Sequence, residues 1–221
     1  MLHCDATQAF GRLPLDVAAL GADLVTLSAH KLGGPVGVGA LVVRRGTPLE
    51  PLHPGGPQEG GLRAGTESVL LAQLFAEAAE EAAAAREEEA RRHREWVAQV
   101  REGIAERESG AIFLSPTDDC LPNTLCVAFP GRPGSSLVHR LDLEGVAVSH
   151  GSACASGSLE PSPVVLAMGH DEDVARSCVR ISFGHTNVDG DVERLLEHLA
   201  RALDAVAPRG AQKKIRGRSG D

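Results

Sequence analysis

Tyrosine is absent from the 221 residues, tryptophan occurs once and phenylalanine five times. A nucleic-acid surface needs aromatic faces for base stacking and a basic groove for phosphates. Here 30 acidic side chains outnumber 22 basic ones, giving a net charge of -8, so no nucleic-acid partner is expected. Also lacking is any run of about 18 uncharged apolar residues, and residues 1–20 have no basic start followed by an apolar core. Neither a membrane span nor a secretory leader is read. The cysteines, Cys4, Cys120, Cys126, Cys154 and Cys178, form no CxxC pair and no regular spacing. They are expected to be free thiols of a cytoplasmic protein, with no disulfide framework and no metal site.

What is present suits a globular α/β chain. Hydrophobic residues make up 43% and charged residues 24%, enough apolar material for a core and too much for wholesale disorder. The segment ADLVTLS (22–28), then HKLGGPVGVG and ALVVRR, predicts strand, functional loop, strand. LPLDVAALG (13–21) predicts a short helix stopped by Gly21. Residues 46–66 are too rich in glycine and proline for a helix or central strand and predict a long loop, and long loops in compact domains are often functional.

Residues 67–107 are dominated by Ala, Glu and Arg. Leu70 and Leu74, then Trp96, Val100 and Ile104, recur at a spacing of four, which predicts one long helix or two with a break. Its run AEEAAAAREEEARRHRE is a solvated face laced with i,i+4 charge pairs. Beyond it, NTLCVAFP alternates as a strand, SSLVHRLDLEG predicts a helix with serine caps, VAVS a short strand and CVRISFG another. PSPVVLAMG opens with proline at a first helical position, and Val192, Leu195, Leu196, Leu199, Leu203 and Val206 mark one face of a closing helix. The expected organisation is an α/β block over 1–66, a connecting helix over 67–107, a smaller α+β domain over 108–206 and a disordered tail over 207–221.

Lys31 follows His30 at a strand end, before a glycine-rich turn where backbone can approach a ligand closely. A partly desolvated lysine there has a lowered pKa and can form a Schiff base, although most lysines at strand ends are simply solvated. HCDATQ (3–8) adds what a pyridoxal-type cofactor requires, an acid for the ring nitrogen in Asp5 and a hydrogen-bonding group for the ring hydroxyl in Gln8. Ser28 and His30 stand beside the lysine as phosphate ligands. Without Lys31, Asp5 would be read as a loop or cap residue and His3 as a satisfied core histidine. Cys154 lies in SHGSACASGS, a run of small residues between a strand and a helix that suits a travelling nucleophile. Arg180 can clamp a carboxylate in bidentate fashion, or form a surface ion pair.

Taken together and in order, HCDATQ, SAHKLGGPVGVGAL, GGPQEGGLRAGTE, LPN, SHGSACASGSLEPS and CVRISFG resemble the cysteine desulfurases of the class V aminotransferase family, the group with the GSAC loop, over roughly residues 2–205. The resemblance implies the C-terminal part of a fold type I, pyridoxal 5'-phosphate-dependent enzyme that takes sulfur from L-cysteine and leaves L-alanine, with residues 1–66 as a partial cofactor-binding large domain. Lys31 would hold the cofactor and move protons. Asp5 would keep the ring nitrogen protonated, Gln8 would bond the ring oxygen, and Ser28 and His30 would bind phosphate. Thr66, in RAGT, would reach the phosphate of the other subunit, implying a homodimer. Arg180 and Asn123 would fix the substrate carboxylate. Cys154 would become a persulfide, delivered to an acceptor such as an iron-sulfur scaffold or a tRNA-thiolation protein.

His150 and Ser68 depart from the usual family residues at their positions without removing a named role. The family also carries a long stretch ahead of the HxDAxQ strand, so the chain reads as the C-terminal part of such an enzyme. Residues 1–66 are then expected to be poorly stable without that half, and residues 110–206 to fold alone. Two rivals to desulfuration remain. One is another class V aminotransferase, which has no use for Cys154. The other is a non-catalytic fragment that binds a sulfur acceptor.

Overall fold

The computed structural model describes residues 1–150 and 161–206. The chain divides into two compact units, Met1–Ala90 and Arg91–Asp221.

In the first unit, strands β1 (His3–Asp5), β2 (Leu24–Ser28) and β3 (Gly39–Val43) form a sheet in the order β1-β2-β3. β1 and β2 run parallel, with Asp5 opposite Thr26, and β3 returns antiparallel along β2. A small core of Ala6, Ala22 and Val25 sits behind the sheet, with Cys4, Leu15, Val17 and Leu27 against it. A 3-10 turn, Ala29–Leu32, follows β2 at once. Residues 13–21 are turns rather than the expected helix. Asp16 Oδ1 accepts from the Ala18 and Ala19 amides at 2.8 and 3.1 Å and so caps a single turn, which Gly21 ends at φ 62°. Between 46 and 66 the chain is irregular except for one 3-10 turn, Gln58–Gly61.

Helix α1 is continuous over Val69–Arg107, with no break. Its first part carries Phe75, whose ring meets Phe10 edge-on at 6.4 Å. Its second part buries Trp96, Val100 and Ile104, the residues spaced by four in the sequence.

The second unit is built on an antiparallel sheet of β4 (Ile112–Phe113), β5 (Thr124–Ala128), β6 (Ser149–His150) and β7 (Cys178–Ser182), in the order β4-β5-β7-β6. Alternation assigns its two faces. Leu125, Val127, Val179 and Ile181 join Phe129 and Phe183 in the main core, with α2 (Gly134–Leu143), α5 (Asp191–Ala205) and the end of α1. Each such fully buried aliphatic or aromatic side chain contributes about 1.5–3 kcal/mol. The opposite face carries a smaller cluster in which Cys178 and Ala128 meet Val165 of α3 (Pro163–Ala167) and Val174 and Ala175 of α4 (Glu172–Arg176).

Pro163 opens α3 as the sequence implies. At α2 the expected serine cap is replaced. Pro133 is the N-cap, with no side-chain cap bond, and the helix begins on Gly134. A Cβ at Gly134 would lie 2.3 Å from the Cys178 carbonyl oxygen, so only glycine lets α2 start this close to β7. Glu144 joins α2 to α5. Its carboxylate lies 2.7 Å from His198 Nδ1, 3.2 Å from Arg140 Nε and 3.5 Å from Arg201 Nε.

Candidate active site

Four of the residues singled out by sequence leave the same end of one parallel strand pair. Asp5 is the last residue of β1 and Ser28 the last of β2, while His30 and Lys31 occupy the 3-10 turn that follows. Parallel strands direct their carboxyl ends alike, and ligands of α/β sheets bind beyond those ends.

Local hydrogen bonds fix the individual groups. The Thr7 amide donates to Asp5 Oδ1 at 2.9 Å. The side chain and backbone of Thr7, with a smaller contribution from the charge of His3, hold the Asp5 carboxyl below the ordinary carboxylate range against a small desolvation cost. Asp5 is therefore an anion at neutral pH, able to keep a proton on a neighbouring ring nitrogen. Ser28 Oγ and His30 Nδ1 are hydrogen-bonded at 2.8 Å, so the hydroxyl and imidazole form one polar unit. His3 Nε2 and Thr26 Oγ1, 2.7 Å apart, tie β1 to β2 beside Asp5.

Arg12 was not anticipated. Its Nη1 donates to the Gln8 carbonyl and its Nη2 to the Lys31 carbonyl, both at 3.0 Å. One guanidinium thus joins the turn after β1 to the lysine turn after β2. Gly11 allows this approach, having φ 79°, and a Cβ there would lie 2.5 Å from Leu32 Cδ2. The sequence signal was an arginine four residues beyond Gln8.

Gln8 and Thr66 are exposed. Thr66 follows a turn in which the Gly65 amide donates to Gln58 Oε1 at 3.3 Å.

In the second unit, Arg180 lies on β7 between Cys126 of β5 and Ser149 of β6, each directly opposite it. Arg180 Nη2 donates to Ser149 Oγ at 3.3 Å, and the side chain is only half-buried. On the same face Thr124 Oγ1 and Ser182 Oγ are 3.2 Å apart, giving this end of the sheet a polar surface. Asn123 is buried. Its Nδ2 donates to the Phe183 carbonyl at 2.8 Å and its Oδ1 accepts from Thr124 Oγ1 at 3.3 Å, so the amide braces the end of β5 against the chain after β7. Cys154 lies outside the described residues.

The donor chemistry of the first unit fits pyridoxal phosphate. It comprises an ionised carboxylate for the ring nitrogen, a hydroxyl and imidazole for phosphate oxygens, and a primary amine for the aldehyde, all at one end of the strand pair. No group of three or more histidine, cysteine, aspartate or glutamate residues suited to a metal occurs among the described residues. No described helix is long and apolar enough to cross a membrane.

Fold and site chemistry define a pyridoxal phosphate-type α/β protein. The family model for aminotransferase class V matches residues 1–195, and the chain belongs to that family. It is 40% identical over 216 residues to a cysteine desulfurase of Cereibacter sphaeroides, covering 96% of this chain and 55% of that protein. It is likewise 40% identical over 203 residues to "Cysteine desulfurase IscS 1" of Archaeoglobus fulgidus, covering 92% and 53%. A solved NifS-like protein superposes with TM-score 0.83 at 34% identity over 93% of this chain and 53% of that one. A NifS-like protein from Rickettsia africae gives TM-score 0.80 at 30% identity, over 91% and 53%. The chain thus spans about half the length of the relatives it matches.

Proposed function

We propose that this chain carries the lysine, carboxylate and thiol groups of a pyridoxal phosphate-dependent cysteine desulfurase working in the cytoplasm. The observation that carries the reading is the shared exit of Asp5, Ser28, His30 and Lys31 from the carboxyl ends of β1 and β2. The cofactor, when bound, supplies an electron-withdrawing ring that stabilises negative charge on the carbon bearing the substrate amine.

The residues of this chain do the rest. Lys31 anchors the cofactor through its amine and afterwards carries protons to and from the substrate. Asp5, ionised through its bonds to Thr7, holds a proton on the ring nitrogen, and Gln8 bonds the ring oxygen. Ser28 and His30 grip phosphate oxygens, and Thr66 does the same for the second copy of a homodimer. Arg180 pairs with the carboxylate of L-cysteine as a planar fork, and Asn123 supports that end of the sheet. Cys154 attacks the substrate sulfur as a thiolate. The carbon–sulfur bond breaks, a sulfur–sulfur bond forms, and L-alanine leaves with a persulfide on Cys154. An iron-sulfur scaffold or tRNA-thiolation protein then receives that sulfur.

Borohydride reduction of the cofactor-loaded assembly, followed by peptide mapping, tests the anchor. The label should sit on Lys31 and vanish in Lys31→Ala, while label on another lysine overturns the assignment. Sulfide and alanine release from L-cysteine tests the chemistry, since Cys154→Ala should abolish both. Amino-group transfer to a 2-oxo acid that survives this change would assign the site to an aminotransferase. An assembly that binds a sulfur acceptor but takes no label would be a non-catalytic binding protein.

A further inference from the structure

The sheet of the second unit holds two cysteines for which the reaction above has no use. Cys126 stands opposite Arg180, and Ala128 stands opposite Cys178, so the two thiols are diagonal neighbours on adjacent antiparallel strands. The Phe129 amide donates to the Ser177 carbonyl at 3.1 Å and the Phe183 amide to the Asn123 carbonyl at 2.9 Å. This places Cys126–Arg180 and Ala128–Cys178 at the non-hydrogen-bonded positions, where facing side chains come closer.

Both sulfurs belong to one small cluster. Cys178 is fully buried among Leu114, Ala128, Val165, Val174 and Ala175, with its Sγ 3.1 Å from the Val174 carbonyl. Cys126 is half-buried and packs against that cluster from the side of Arg180. The proximity of Cys178, helped by the charge of Arg180, holds the Cys126 thiol below its ordinary value despite burial. Cys178, which donates to the Val174 carbonyl, is pushed up by the proximity of Cys126 and by desolvation. The arrangement is asymmetric, a half-buried thiol with a lowered pKa beside an enclosed one with a raised pKa.

We propose that Cys126 and Cys178 form a second thiol site, oxidised by a hydroperoxide to a disulfide across β5 and β7. The Cys126 thiolate attacks one peroxide oxygen and the oxygen–oxygen bond breaks. Cys126 becomes a sulfenic acid, and the departing hydroxide takes a proton and leaves as water. That step removes the negative charge that kept Cys178 protonated. The Cys178 sulfur then displaces the sulfenic hydroxyl, a sulfur–sulfur bond forms, and a second water departs. Two thiols lose two electrons in all, and the peroxide gains them. Diagonal partners sit about 7–8 Å apart, beyond the roughly 7 Å a disulfide spans on an unmoved backbone, so closing the bond requires β5 and β7 to shift against each other beside Arg180.

The test oxidises the purified full chain, in a Cys154→Ser background, with hydrogen peroxide and maps tryptic peptides without reduction. The expected product joins Ser177–Arg180 to the peptide containing Cys126, two hydrogens lighter than the sum, and dithiothreitol reverses it. It should persist in Cys120→Ser and disappear in Cys126→Ser. If Cys126→Ser fails to fold, fragmentation of the linked Cys120→Ser peptides still assigns the bond. Native-state alkylation of Cys126 should also begin at lower pH than that of Cys120. A link from Cys178 to any other cysteine, oxidation of Cys126 that stops at sulfinic acid, or two unmodified thiols would each overturn the proposal.

Discussion

Arg12 holds the main chain of Lys31, its Nη2 donating to the lysine carbonyl at 3.0 Å while its Nη1 holds the Gln8 carbonyl at the same distance. The guanidinium is partly enclosed, and burial lowers its pKa. Its donors therefore lose water that, among the described residues, these two carbonyls replace. Hydrogen bonds involving a charged group contribute about 1.5–3 kcal/mol. Arg12→Leu is expected to weaken cofactor binding about tenfold, one such bond's worth by the same scale. Arg12→Lys, which cannot reach both carbonyls with a planar fork, should fall between. Fluorescence titration with pyridoxal phosphate measures both, and wild-type affinity in Arg12→Leu would remove Arg12 from the argument.

Gly11→Ala attacks the same junction through sterics. The added methyl meets Leu32 at 2.5 Å on a backbone with φ 79°. Overpacking with backbone strain costs about 1–3 kcal/mol. Hydrogen exchange should speed up in the turns after β1 and β2, and leave α5 unchanged.

Glu144 predicts acid sensitivity in the second unit. Its carboxyl is held below the ordinary range first by the hydrogen bond with His198, then by the charges of Arg201 and Arg140. A depressed folded pKa contributes stability above the unfolded value of about 4.3, and that stability is lost as pH falls through the folded value. Glu144→Gln should therefore be less stable near neutrality and converge on wild type in acid. Urea unfolding followed by circular dichroism across this range reads the difference. A gap that stays constant with pH would mean that the carboxylate charge is irrelevant.

Leu199 is almost wholly buried between α5 and the sheet. Leu199→Ala should destabilise the second unit by about 2–5 kcal/mol. Denaturant midpoints should show it, with the lysine turn of the first unit unaffected in hydrogen exchange.

The sequence made some of these features legible and hid others for physical reasons. Val192, Leu195, Leu199 and Leu203 recur with the helical period, and all are buried along α5. β2 was visible as an apolar run because a buried strand leaves that pattern, and β3 as a second apolar run after the glycine-rich loop, although its residues are mostly exposed. The helix expected at 13–21 is cut to a single turn that Asp16 caps and Gly21, at φ 62°, ends. The serine cap at α2 failed because its start is set by contact with the Cys178 carbonyl, a tertiary constraint with no local trace. Lys31 and Asp5 could be picked out as chemistry, but their common exit depends on the parallel pairing of β1 with β2. The link through Arg12 is likewise a contact across 19 positions of chain, which no window of sequence contains.

Among the described residues the outer margins of β1 and β3 pair with no other strand, and Leu41 and Val42 of β3 are exposed. Such margins template the addition of any extended peptide, from whatever source. In concentrated preparations the first unit should thus be the nucleus of self-association, and an added β-strand mimic should compete for it.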